Sequence, residues 1–133
     1  MIKIYTDGAY SSSRDQGGWS FVVLKDEKKI YSSFLPVKNT TNNRMEIQAV
    51  IESILWSIEN NYTELEIVSD SMYVIGTMTL NWKRKFNNDL WDQLDKLKKD
   101  INITWTHIRG HSGDKYNELC DALAVEASHC KNN

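Results

Sequence analysis

The sequence predicts an α/β domain: a mixed sheet of about five strands with helices packed on it. Three observations predict it. The first 35 residues carry three β-rich runs, the middle carries one long helical stripe, and a short apolar strand follows that stripe as a βαβ crossover would deliver it.

Ile2-Lys3-Ile4-Tyr5-Thr6 alternates as a strand that stops at Asp7-Gly8. Residues 18–25 and 29–35 are β-rich and flank the charged turn Asp26-Glu27-Lys28, so the first three segments make an antiparallel meander. Ile47, Val50, Ile51, Ile54, Leu55 and Ile58 then fall on one apolar stripe of a helix, with polar residues 40–43 ahead of it to cap it. Residues 65–69 are the crossover strand, and residues 71–80 form a second helix. Leu90, Trp91, Leu94 and Leu97 mark a third helix. Residues 101–108 are the last strand, and residues 114–128 are a final helix carrying Leu119, Cys120, Leu123 and Ala127. The order is β-β-β-α-β-α-α-β-α. Trp19, Trp56, Trp91 and Trp105 sit in apolar patterns and read as core; Trp82 does not.

At 133 residues and 15.4 kDa, one domain spanning 1–133 can bury a core without disulfides or metal staples. Cys120 and Cys130, ten residues apart on one helix, would be separated by about 15 Å of rise, too far for a bridge, so they read as reduced thiols. The apolar runs are too short to span a bilayer and no leader pattern opens the chain, which reads as a soluble cytoplasmic monomer with no membrane partner. A net charge of −2 excludes gripping a polyanion by bulk charge, so any nucleic-acid contact needs positive charge supplied locally.

Most of the 18 acids sit in solvated company. Four are placed differently. Asp7 follows the first strand, and Asp70 follows the crossover strand. Glu46 flanks the buried stripe at the opening of the long helix, and Asp121 lies near the start of the last helix. Ligand sites in open α/β sheets lie where strand ends meet helix starts. Converging carboxylates repel unless a proton or cation neutralises them, and an all-oxygen donor set suits Mg²⁺ or Mn²⁺. Four acids can hold two such ions about 4 Å apart, the geometry of in-line displacement at phosphorus. A lone Asp at a strand end is also an ordinary turn-former, and a Glu in a first helical turn ordinarily complements the macrodipole. Spacing alone leaves both readings open.

The surrounding blocks carry more. Tyr5-Thr6-Asp7-Gly8, Thr40-Thr41-Asn42-Asn43-Arg44-Met45-Glu46, Ser69-Asp70-Ser71 with Tyr73-Val74, Gly110-His111, and Asn117-Glu118-Leu119-Cys120-Asp121-Ala122-Leu123-Ala124 resemble the type 1 ribonuclease H family, in the family's order and across nearly the whole chain. The resemblance implies the ribonuclease H-like fold, with helices on both faces of the five-stranded sheet. It also implies an endonuclease that hydrolyses the RNA strand of RNA–DNA hybrids, leaving 3′-hydroxyl and 5′-phosphate ends. Asp7, Glu46, Asp70 and Asp121 match the family's metal-binding carboxylates for two Mg²⁺ ions, with Mn²⁺ able to substitute. His111 matches the loop histidine that assists proton transfer or product release, a role for which an imidazole is suited. Asn42 and Asn43 match the pair that reaches bases or sugars in the minor groove, with Glu46 near a 2′-hydroxyl. Thr41 and Asn81 match positions that hold a DNA-strand phosphate.

The chain departs from bacterial members in lacking their long basic protrusion; residues 80–89 are all that stands there. Between Lys83 and Lys99, however, six basic residues (83, 84, 85, 96, 98, 99) face three acids (89, 92, 95), a local net of +3. Lys83 and Lys85 are the expected phosphate contacts, and Trp82 is free to stack on a sugar. The loop at residues 9–18 lacks the Gly-Pro-Gly-rich composition of relatives. A binding module without turnover would have lost one of the four carboxylates, and none is lost.

Overall fold

In the computed structural model, which describes residues 1–130, the element order matches the one read from the sequence. Strands β1 (Ile2–Ser11), β2 (Gln16–Lys25) and β3 (Lys28–Lys38) form the meander. Helix α1 (Asn42–Glu59) leads to β4 (Glu64–Ser69). Helices α2 (Met72–Thr79) and α3 (Asn88–Leu97), the latter closed by a single 3₁₀ turn at Lys98–Asp100, lead to β5 (Asn102–His107) and α4 (Lys115–His129). The sheet order is β3-β2-β1-β4-β5. β1, β2 and β3 pair antiparallel, and β1, β4 and β5 run parallel.

Period-2 alternation divides the sheet between two cores. Ile2, Ile4, Phe21, Val23, Leu65 and Ile67 pack with the apolar stripe of α1 and with Leu90, Trp91 and Leu94 of α3. Tyr5, Val22, Leu24 and Val68 pack on the other face with Cys120, beside Leu119 and Leu123 of α4. Helices therefore cover both faces. Trp19 and Trp91 are buried, and Trp56 and Trp105 pack at the margin of the first core.

Two boundaries differ from the sequence reading. β1 does not stop at Asp7-Gly8 but runs on to Ser11, because β2 supplies pairing partners out to Ser11↔Gln16. Cross-strand pairing outweighs the strand-breaking character of Asp and Gly. In α1, Ile58 is 43% exposed, and the buried line continues instead through Ala49, Ser53 and Ser57. These small residues repeat every fourth position and let the helix approach the sheet closely. The two serines satisfy their own hydroxyls on Val50 and Ser53 carbonyls (2.7 and 2.8 Å), so their burial costs little.

Helix α1 crosses the sheet tightly at Gly8. A Cβ there would stand 2.4 Å from the Glu46 backbone nitrogen, so only glycine lets the second turn of α1 lie over β1 at that point. The register of β1 with β4 ends at Thr6↔Ser69, so Asp7 and Asp70 are the next residues on adjacent parallel strands, where β4 stops and β1 continues. Sequence distance between these two acids is thereby converted into one interstrand spacing of about 4.8 Å.

Candidate active site

Asp7, Glu46 and Asp70 each offer a carboxylate oxygen, and the three oxygens lie within 4.8 Å of one another. Each comes from a different element: the middle of β1, the second turn of α1, and the residue after β4. Asp7 is 3% exposed and Glu46 7%. Gly8 N donates to Asp7 Oδ1 (2.9 Å), while Asp7 Oδ2 and Glu46 Oε1 are buried without any partner. Burial pushes the Asp7 carboxyl far above the usual carboxylate range, and the charges of Glu46 and Asp70 push it further. Burial likewise raises Glu46, and the negative charges of Asp70 and Asp121 add to it. Three crowded carboxylates with orphaned buried oxygens are an arrangement that a divalent cation relieves. Oxygen donors alone select a hard cation of the Mg²⁺ or Mn²⁺ kind.

Asp121 stands in the middle of α4, two turns from its start and not near it, because the helix begins at Lys115 under an Asp114 cap. It lies outside the group of three whose oxygens meet, yet close enough for its charge to act on Glu46. His111 is exposed, with φ 56°, in the loop between β5 and α4. The glycine before it, Gly110, lies against Asp70: a Cβ there would be 3.2 Å from Asp70 Oδ2.

Thr41, Asn42 and Asn43 sit at the start of α1. Thr41 is the cap, its Oγ1 accepting from Arg44 N at 3.1 Å, so the capping reading and the groove reading fall on one residue. With Tyr73, Phe86 and Asn87 these residues line a groove of about 430 Å³. The bracket behind it is Arg44, which donates to Asp89 through both guanidinium nitrogens (3.0 and 2.7 Å) and to Asn87 Oδ1 (3.2 Å). Asn87 in turn donates to Tyr73 Oη at 2.9 Å. Arg44 holds Asp89 down at about 2. Sequence reasoning missed Phe86 and Asn87 as groove residues; the signal available was their position directly before the first apolar residues of α3.

Asn81 is exposed at φ 54° on the turn after α2 and does not line that groove. Trp82 is 43% exposed, but its indole also covers α2. The ring fills the space that a Gly76 Cβ would take, within 2.4 Å, and Trp82 N donates to Gly76 O at 3.3 Å. Lys83 and Lys85 are exposed. Arg84 between them turns inward, paired with Asp95 and set over the Trp91 ring, and Lys98 also reaches Asp95 (3.5 Å). Of the six basic residues counted between 83 and 99, Arg84 and Lys98 are thus spent on Asp95.

A mixed β3-β2-β1-β4-β5 sheet with acids gathered where β4 ends beside the middle of β1 defines a class, the ribonuclease H-like α/β proteins. The RNase H family model matches residues 1–129. A ribonuclease H from Thermoanaerobacter sp. is 38% identical over 141 residues, covering 95% of this chain and 88% of the relative. One from Caldanaerobacter subterraneus is 37% identical over 150 residues, covering 100% and 95%. Among solved structures, RNase H1 of the halophilic archaeon Halobacterium salinarum superposes with a TM-score of 0.82 at 24% identity, over 95% of this chain and 96% of that one. The N-terminal RNase H domain of a Mycobacterium tuberculosis protein superposes with a TM-score of 0.85 at 23% identity, over 96% and 92%. The chain belongs to the RNase H family and is a ribonuclease H enzyme.

Proposed function

We propose that this chain hydrolyses the RNA strand of RNA–DNA hybrids with two Mg²⁺ ions, leaving 3′-hydroxyl and 5′-phosphate ends. The observation that carries the reading is the meeting of Asp7, Glu46 and Asp70 oxygens within 4.8 Å, two of the three acids being buried. Asp7, Glu46 and Asp70 would hold the cations, with Asp121 of α4 supplying a fourth carboxylate. Bound there, the cations supply an activated water and charge neutralisation at the leaving 3′ oxygen.

The protein's own residues do the rest. Asp7 and Glu46 exchange their protons for a cation, which converts buried repulsion into binding. Asn42 and Asn43 present short polar side chains beside Glu46, where a 2′-hydroxyl can be read as donor and acceptor. Thr41 at the groove and Asn81 outside it each present a polar side chain to DNA-strand phosphates, Trp82 presents its free face to a sugar, and Lys83 and Lys85 add phosphate contacts. His111, in its exposed loop beside Asp70, moves a proton toward the departing oxygen.

The test is incubation with labelled RNA–DNA hybrid, RNA duplex and DNA duplex, with and without EDTA. Cleavage confined to the RNA of the hybrid and abolished by EDTA is expected. Equal cleavage of RNA duplex, or activity surviving the chelator, would overturn the assignment.

A further inference from the structure

Asn117 is 2% exposed and sits one helical turn before Asp121, on the same face of α4. Its Nδ2 lies 3.5 Å from Asp70 Oδ2, at the long end of hydrogen-bond range, and its Oδ1 is buried with no partner at all. Amide geometry puts Oδ1 about 2.3 Å from Nδ2, hence within about 6 Å of the Asp70 carboxylate. The side chain is not loosely placed. Asp114 caps the helix by accepting from Tyr116 N and Asn117 N (3.0 and 3.1 Å), and Tyr5 Oη of β1 donates to the same carboxylate at 2.9 Å. The first turn of α4 is therefore tied to β1, the strand that carries Asp7.

A buried amide oxygen left without a donor costs free energy, and this one stands beside three carboxylates that want a cation. Mg²⁺-type ions keep several waters when protein carboxylates bind them. A carboxamide offers a donor to a carboxylate from one atom and an acceptor to a water from another, about 2.3 Å away. We propose that Asn117 is an outer-sphere positioning residue of the cation site: Nδ2 fixes the rotation of the Asp70 carboxylate, and Oδ1 accepts a hydrogen bond from the ion's water of hydration. This rests on the cation reading of the carboxylate cluster and extends it from α1, β1 and β4 to the first turn of α4.

The experiment is Mn²⁺ titration by calorimetry on the wild type, Asn117→Ala and the near-isosteric Asn117→Leu, with melting in EDTA measured on the same samples. The expected result is a Kd raised about tenfold to a hundredfold in both variants. Heat stability in EDTA should change little in Asn117→Leu, because the volume is kept. A folded variant with an unchanged Mn²⁺ Kd overturns the proposal. Loss of folding in both variants also overturns it, by making Asn117 a structural residue. A wild type that takes up no Mn²⁺ fails the cation reading itself, an outcome distinct from either.

Discussion

Asp7, Glu46 and Asp70 come from three elements that two cores hold in place, whereas Asn81, Lys83 and Lys85 ride on residues 80–88, a segment with hardly any regular structure. The acids are fixed by register and by a glycine crossing with no room for one methyl group. The lysines are fixed by two anchors only, Trp82 laid on Gly76 and Arg84 paired with Asp95. The acid cluster thus lies where a change is felt by the whole fold, and the exposed lysines lie where sequence can vary without cost to the core.

The contrast is broken most severely at Asp7. Asp7→Asn removes one of three converging ligands, and hydrolysis should fall by about 10³-fold or more. The same substitution removes a buried carboxyl that the folded state must keep protonated beside Glu46 and Asp70, so melting in EDTA should rise by a few degrees near pH 8. Activity and stability moving in opposite directions is the signature of a functional cluster. A variant that loses both would make Asp7 structural.

Gly8→Ala probes the crossing that brings Glu46 to Asp7. The added methyl meets the Glu46 nitrogen at 2.4 Å, backbone against backbone, so α1 must lift. A loss of about 3 kcal/mol in urea unfolding is expected, with activity falling in step as Glu46 leaves the cluster. Unchanged stability would mean that the close approach of α1 to β1 is not what holds the site.

A gentler perturbation is pH. Asp7 and Glu46 both titrate above the ordinary carboxylate range, so the folded state keeps protons that the unfolded chain releases from about pH 4 upward. Where the folded state binds more protons, stability falls as pH rises. Melting temperature in EDTA should therefore drop by several degrees between about pH 5 and about pH 8. Mg²⁺ should flatten the slope, as should Asp7→Asn. A flat profile in EDTA for the wild type would show that the cluster is not strained by its charge.

The sequence made the fold order legible because the α1 stripe and the alternation of residues 2–6 are local patterns. It could not place the end of β1, since the pairing that carries the strand past Asp7-Gly8 is supplied by β2. Nor could it show that Ser53 and Ser57 are buried while Ile58 is exposed, because that depends on how α1 packs. For the site, the motif blocks pointed to Asp7, Glu46 and Asp70, whose oxygens meet, and to Asp121, which stands outside that group, but the meeting of Asp7 with Asp70 is a register fact. Asn117 lay inside a quoted motif, four residues before Asp121. Its burial against Asp70 and its orphaned oxygen are visible only in three dimensions. The charge count between 83 and 99 was correct, yet Arg84 and Lys98 are engaged with Asp95, so fewer charges are available to phosphate than the count implied.

That last point sharpens the smallest effect. With Arg84 and Lys98 engaged on Asp95, Lys83 and Lys85 are the two exposed cations of the segment that follows α2. Replacing both with alanine should raise KM for the hybrid about threefold to tenfold and leave kcat nearly unchanged, because neither touches the carboxylate cluster. The salt dependence of kcat/KM should become shallower in the double variant, each lost phosphate contact removing somewhat less than one unit of slope. Arg84→Ala is the control that separates grip from scaffold. Freeing Asp95 and uncovering Trp91 should lower stability, and KM should rise only as far as the segment loses its shape. Were Arg84→Ala to raise KM more than the lysine pair does without destabilising the fold, the guanidinium would be a phosphate contact after all, and the division between anchored and gripping cations along this segment would be redrawn.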